Sequence, residues 1–179
     1  ELVVERLRRR GHEALGLAEQ ADEAALERRP DGLIDLDELR AAMTDRTILV
    51  SLMLANNEIG VIQPLEAIGA AIKAKNPKTL FHSDAVQGLG KIEINVDRAR
   101  LDLVSITAHK LYGPKGIGAL WVRRKPRVRI DPIIDGGGHE RGMRSGTVPV
   151  PLIVGFGRAA EICAEEMQAE GARLGRLRD

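Results

Sequence analysis

The chain of 179 residues is short of several things, and each shortage excludes something. It holds one cysteine, Cys163, so no disulfide can form within it, and a reducing compartment is expected. Its four aromatics (Phe81, Tyr112, Trp121 and Phe156) cannot fill an interior, which must be built from Leu, Ile, Val and Ala. Basic and acidic residues nearly balance, 27 against 26, and a net charge of +1 gives no overall pull toward nucleic acid or an anionic membrane. No apolar run approaches the roughly 20 residues that cross a bilayer. Internal repeats and low-complexity tracts are missing as well. What remains is 44% hydrophobic and 30% charged, the composition of a soluble intracellular α/β protein of about one domain.

Hydrophobic patterning gives the order of elements. Residues 1–10 read as the end of a helix closed by Gly11, "HEALGL" as a short strand, and "AEQADEAALERRP" as helical or loose. "DGLIDLDELRAAMT" predicts a turn and then a helix with Asp35 or Asp37 near its start. "TILVSLML" is an unalternating apolar run, expected of a strand covered on both faces. After the loop "ANNEIGVIQ", Pro64 predicts a helix first turn with "LEAIGAAIKAKN" behind it. "TLFHSDA", "ARLDLVSIT" and "GIGALWVRR" read as further strands, with "QGLGKIEIN" an irregular connection. From Pro151 a helix is expected, with Leu152, Phe156, Ala159, Cys163 and Met167 on its apolar stripe. Alternating strands and helices predict an α/β fold whose mostly parallel sheet is sandwiched by helices.

In such sheets ligands bind beyond the C-terminal strand ends. Three predicted strand ends are polar: Asn56-Asn57-Glu58, then Ser83-Asp84 with Gln87, then Thr107 with His109 and Lys110. A lysine at one strand end and an acid at a neighbouring one suit pyridoxal phosphate. Its aldehyde needs an amine for a Schiff base, and its ring nitrogen needs a carboxylate to stay protonated. Gln87 could then reach the ring hydroxyl, and Thr107 and His109 the phosphate. The same residues also read as a loop lysine, a turn aspartate and a histidine satisfied by backbone.

Four motifs in order, "NNEIGVIQP", "HSDAVQGLGK", "SITAHKLYGPKGIGALWVRRKPRVR" and "GGGHERGMRSGTVP", go further. Together they resemble the middle of a cysteine desulfurase of the class V aminotransferase fold, in the housekeeping and nitrogen-fixation branch, from about Gly32 to Met167. The resemblance implies the large domain of a pyridoxal-phosphate-dependent transferase. It implies that Lys110 holds the cofactor and shuttles the substrate proton. Asp84 matches the partner of the pyridine nitrogen, Gln87 the amide on the ring oxygen, and Asn57 the asparagine near the ring and substrate carboxylate. Thr107 and His109 match the phosphate contacts, and Thr147 a threonine reaching the phosphate of the other subunit, so a homodimer is implied. The activity implied is removal of sulfur from L-cysteine, leaving alanine and an enzyme persulfide that serves iron–sulfur cluster assembly through a sulfur-acceptor scaffold protein. A cytoplasmic location follows, or an organellar matrix in a eukaryote. The alternatives are another class V enzyme, a selenocysteine lyase or aminotransferase, and a non-catalytic fragment used for dimerisation or docking.

The chain departs from that family in places. "TAHK" stands where Ser-Gly-His-Lys is usual, so Ala108 replaces a glycine and is acceptable only at a backbone angle open to other residues. The segment around residues 18–30 is longer and more helical than the expected link. Residues 1–179 are expected to be part of the cofactor-binding large domain, with the small C-terminal domain and the catalytic cysteine loop outside it, and the chain alone is expected to be inactive. Cys163, at an apolar helix position, reads as a small buried hydrophobe rather than that cysteine. "RRKPRVR" reads as a solvated turn rather than a nucleic-acid patch, and "GPKGIG" lacks the Ser or Thr of a phosphate-binding Walker loop. His12, His82 and His139 have no metal-ligand spacing, and "GGGHERGMRSG" reads as a subunit-facing loop that presents Thr147.

Overall fold

The computed structural model describes residues 3–7, 21–24 and 29–179. Six strands form one sheet in the order β2-β1-β3-β4-β5-β6. They are β1 (Val3–Leu7), β2 (Ala21–Ala24), β3 (Thr47–Met53), β4 (Leu80–Asp84), β5 (Leu103–Thr107) and β6 (Gly118–Val122). Among the described residues three α-helices accompany them, α1 (Leu36–Ala42), α2 (Leu65–Lys75) and α3 (Val150–Arg178).

The fold is α/β, and the four strands β3 to β6 make a mostly parallel sheet. β3–β4 and β4–β5 are parallel, while β6 runs antiparallel to β5. A parallel return needs a crossover of a dozen or more residues. Between β5 and β6 the chain has only residues 108–117, with one short 3₁₀ turn at His109–Leu111, so it turns back as a hairpin. β1 and β2 extend the other side antiparallel.

Two expectations fail here. Residues 3–7 are a strand and not the end of a helix, and residues 21–24 within the segment expected to be helical or loose are also a strand. Pairing of β1 on both sides, with β2 and β3, outweighs the helix-favouring Glu, Leu, Arg and Ala composition, a weak preference that tertiary pairing overrides. The expected Gly11 helix end and the "HEALGL" strand lie outside the described residues.

The remaining elements follow the patterning. Asp35 caps α1, its Oδ1 accepting from Asp37 N at 2.8 Å and Glu38 N at 3.1 Å. Those two bonds hold its carboxyl below the usual carboxylate range. Pro64 stands at the N-cap of α2. The core lies on one sheet face, where Val50, Leu52, Phe81 and Val104 meet Leu39 of α1 and Ile68 and Ile72 of α2. The irregular link between β4 and β5 fills the place of a crossover helix, packing Ile92, Ile94, Val96, Ala99 and Leu101 against that core. Gly69 makes this possible, because a Cβ there would fall 2.0 Å from Ala99 O.

β3 was expected to be covered on both faces. Instead its burial alternates, with Val50 and Leu52 buried and Ser51 and Met53 half-exposed, since α1 and α2 cover a single face. On α3, the five residues assigned to the apolar stripe are all half-buried, as are Gly155, Glu170 and Gly175, and α3 packs against the His109–Leu111 turn. No helix among the described residues is long and apolar enough to cross a membrane.

The ends of β4 and β5 remote from the candidate site are tied by charge. Asp102 Oδ2 accepts from Lys73 Nζ at 2.5 Å and from Phe81 N at 2.9 Å. Arg123 donates to Leu101 O and Val96 O at 2.7 and 2.9 Å, and its guanidinium lies 5.3 Å from the Trp121 ring centroid.

Candidate active site

Strand register places the predicted residues. Met53, Asp84 and Ser105 lie abreast at the ends of β3, β4 and β5. Thr107 stands two residues beyond Ser105, so by strand periodicity it shares a sheet face with Asp84, at a Cα separation of roughly 8 Å. That face is opposite the core. Asp84 is half-buried, and its Oδ1 accepts from Val86 N at 2.9 Å, which folds the chain into the turn that carries Gln87. Gln87 is half-buried there, its carbonyl accepting from Lys91 Nζ at 3.2 Å.

Thr107 and His109 are brought together directly, with Thr107 Oγ1 2.9 Å from His109 Nδ1. Thr107 also donates to Ile117 O at 3.3 Å, which ties β5 to the approach of β6. His109 is exposed at the start of the 3₁₀ turn, so a hydroxyl and an imidazole stand side by side just beyond the end of β5. Ala108 has φ −72° and ψ −40°, ordinary right-handed angles, so the site does not require the glycine usual there. It is fully buried. The strain in this turn falls instead on Tyr112, at φ 60° and 93% exposed.

Lys110 is exposed, and among the described residues its amine has no hydrogen bond or ion pair. It lines a cleft of about 570 Å³ between α3 and the turns at residues 89–91 and 110–114. Cys163 borders the same cleft half-buried rather than fully enclosed, its Cβ 3.0 Å from where a Cβ of Gly90 would stand. Gly90 has φ +74°, so both its conformation and its lack of a side chain let that turn lie on α3.

None of the other six candidate residues lines the Lys110 cleft, and Asn57 and Thr147 lie on separate loops. Asn57 is exposed in the turn after β3, whereas its neighbour Asn56 is held, accepting from Glu58 N at 2.9 Å and Ile59 N at 3.0 Å. Thr147 is exposed in the loop before α3, and among the described residues no hydrogen bond joins it to the other six. That loop is shaped by Ser145, whose Oγ accepts from Gly138 N at 3.1 Å, and by His139, whose Nδ1 accepts from Gly146 N at 3.2 Å.

One feature escaped the sequence reading. Ser51, His82 and Ser105 form a row across β3, β4 and β5 on the same face as Asp84. Its signal was available: each of three apolar strands carries a polar residue, and the period of two puts His82 on the side of Asp84.

Comparison with known proteins identifies the family. Residues 14–176 match the aminotransferase class-V family. The chain is 63% identical over 149 residues to a cysteine desulfurase IscS of Pasteurella multocida, covering 83% of this chain and 36% of that protein. It is 56% identical over 173 residues to the cysteine desulfurase IscS of Haemophilus influenzae, covering 97% of this chain and 40% of the relative. A solved NifS-like protein superposes with a TM-score of 0.79 at 47% identity, over 83% of this chain and 40% of the other. A structure described as SspA in complex with cysteine superposes at 0.72 with 43% identity, over 77% and 39% of the two chains. The resemblance read from the four motifs is thus found in the relatives themselves, and the chain spans about 40% of their length. The fold is the corresponding part of the pyridoxal-phosphate transferase fold, and this chain belongs to the class V aminotransferase family, whose members depend on pyridoxal phosphate.

Proposed function

We propose that this chain is the cofactor-binding core of a cysteine desulfurase, acting in the cytoplasm (or an organellar matrix in a eukaryote). The protein takes sulfur from L-cysteine, leaves alanine, and passes the sulfur through a persulfide to a scaffold protein for iron–sulfur cluster assembly. The observation that carries the reading is the hydrogen-bonded Thr107–His109 pair directly before Lys110, on the strand next to the one that ends in Asp84. The donor set fits pyridoxal phosphate: a hydroxyl and an imidazole for its phosphate, a carboxylate for its ring nitrogen and an unpaired amine for its aldehyde. When bound, the cofactor supplies an electron-withdrawing ring that makes bonds at the substrate α-carbon labile.

The residues of the chain have separable tasks. Thr107 and His109 bind the phosphate and set the position of the ring. Asp84 accepts the proton-bearing pyridine nitrogen, and Gln87 donates to the ring oxygen. Asn57 orients the substrate carboxylate, and Lys110 holds the cofactor before substrate arrives and then moves the α-proton. Thr147 serves the site of a second copy, in a homodimer.

A chimera tests the function. The matching 173 residues are exchanged into the Haemophilus influenzae relative, and sulfide and alanine release from L-cysteine are measured. Activity within about tenfold of the parent, abolished by Lys110→Ala, is expected. A chimera that binds cofactor yet releases selenide from selenocysteine, or transaminates, and leaves cysteine untouched would overturn the reading in favour of another class V activity.

A further inference from the structure

The Ser51–His82–Ser105 row is a hydrogen-bonded polar group that the cofactor assignment leaves without a role. Ser51 Oγ lies 2.7 Å from His82 Nδ1, and His82 Nε2 lies 2.8 Å from Ser105 Oγ. Register puts Ser51 abreast of His82, but Ser105 abreast of Asp84, so the imidazole bridges squarely to β3 and diagonally to β5. Asp84 follows two residues along β4 on the same face, one pleat nearer the strand end.

An imidazole held between two hydroxyls is satisfied while carrying a single ring proton. It donates from one nitrogen and accepts at the other, and no polar atom is left over. Burial favours that neutral form, while the nearby Asp84 carboxylate pulls the other way. The backbone ladder already fixes the register of the three strands, so register alone does not call for a histidine here.

We propose that His82 is a positioning residue for Asp84, its row with Ser51 and Ser105 fixing the end of β4, two residues short of the carboxylate that meets the cofactor's pyridine nitrogen. A neutral ring holds the strand without adding a positive charge that would compete with that nitrogen for Asp84. The inference rests on the reading of Asp84 as the ring-nitrogen partner.

The test is a cycle of two ligands and several proteins. Dissociation constants are measured for pyridoxal phosphate and for its analogue with carbon in place of the ring nitrogen, with wild type, His82→Leu, His82→Gln and Ser105→Ala. His82→Leu is expected to weaken pyridoxal phosphate about tenfold and leave the carbon analogue unchanged. His82→Gln keeps one donor and one acceptor and is expected to restore binding to within about threefold. Ser105→Ala removes one hydroxyl only and reads the same cycle should the leucine variant fail to fold. Equal losses for both ligands, or no loss with either, would overturn the inference. Borohydride trapping at Lys110 of the wild type separates this from the cofactor assignment: without it the assignment itself fails, and the inference with it.

Discussion

Thr107 Oγ1 and His109 Nδ1 are 2.9 Å apart at the point where β5 gives way to the turn carrying Lys110. Three consecutive decisions of the chain meet there. The strand ends, a 3₁₀ turn begins, and next to the hydroxyl–imidazole pair comes an amine that is unpaired among the described residues. Replacing Thr107 with Val keeps the shape and removes the hydroxyl. Its bond to Ile117 O is long, 3.3 Å, and only part-buried, so little stability rests on it. Thr107→Val is therefore expected to weaken pyridoxal phosphate about tenfold with the melting temperature nearly unchanged, read by ligand titration and thermal denaturation.

Ala108 gives a prediction of opposite sign to what the glycine usual at this position would suggest. Its right-handed angles and full burial mean that a glycine gains nothing in the folded state and more freedom in the unfolded one. Ala108→Gly should lower stability by about 1 kcal/mol, measured by urea denaturation.

Asp102 anchors the far ends of β4 and β5, with Lys73 Nζ and Phe81 N on one carboxylate oxygen. Its side chain is 5% exposed, so truncation strands the Lys73 ammonium in a poorly solvated place. Asp102→Ala is expected to cost about 3–5 kcal/mol in urea unfolding. A double replacement, Lys73→Met with Asp102→Leu, should recover most of that loss.

Ser83 points into the core face of β4, abreast of Leu52 and Val104, and its hydroxyl has no hydrogen-bond partner among the described residues. Removing an unsatisfied buried hydroxyl relieves its desolvation. Ser83→Ala should raise stability by about 1 kcal/mol, seen as a later denaturation midpoint with an unchanged slope.

His82 imposes a pH dependence. Burial holds its pKa below the ordinary 6.5, and Asp84 only partly opposes this. On acidification the unfolded chain takes up this proton first, near 6.5, while the folded chain still refuses it. Over that window the unfolded state binds more protons, so stability rises with pH and is lost as pH falls below 6.5. Unfolding midpoints should fall as the pH is lowered below 6.5 and level off above it, and the fall should flatten in His82→Gln.

Much of this was legible in the sequence, for identifiable reasons. The apolar runs of β3, β4, β5 and β6, the Asp35 cap and the spacing of Leu152, Phe156, Ala159, Cys163 and Met167 are local signals, and the fold keeps them. β1 and β2 were not legible, because β1 takes its strand identity from pairing with β2 and β3, and β2 from pairing with β1, rather than from their own composition. Asp84, Thr107 and His109 could be placed at strand ends by counting. That Lys110 would border the groove along α3 depends on how a 29-residue helix lies against the turn, which no short stretch of sequence encodes. The row through His82 was missed because two serines in apolar strands look like tolerated exceptions until register sets them beside a histidine.

The central claim is that Lys110 is the cofactor amine. Pyridoxal phosphate is added to the purified protein, the adduct is reduced with borohydride, and the modified peptide is mapped. The account predicts label on Lys110 alone, with Lys91 and Lys115 unmodified although both lie in neighbouring turns. Label spread evenly over these lysines, or none on Lys110, would contradict it.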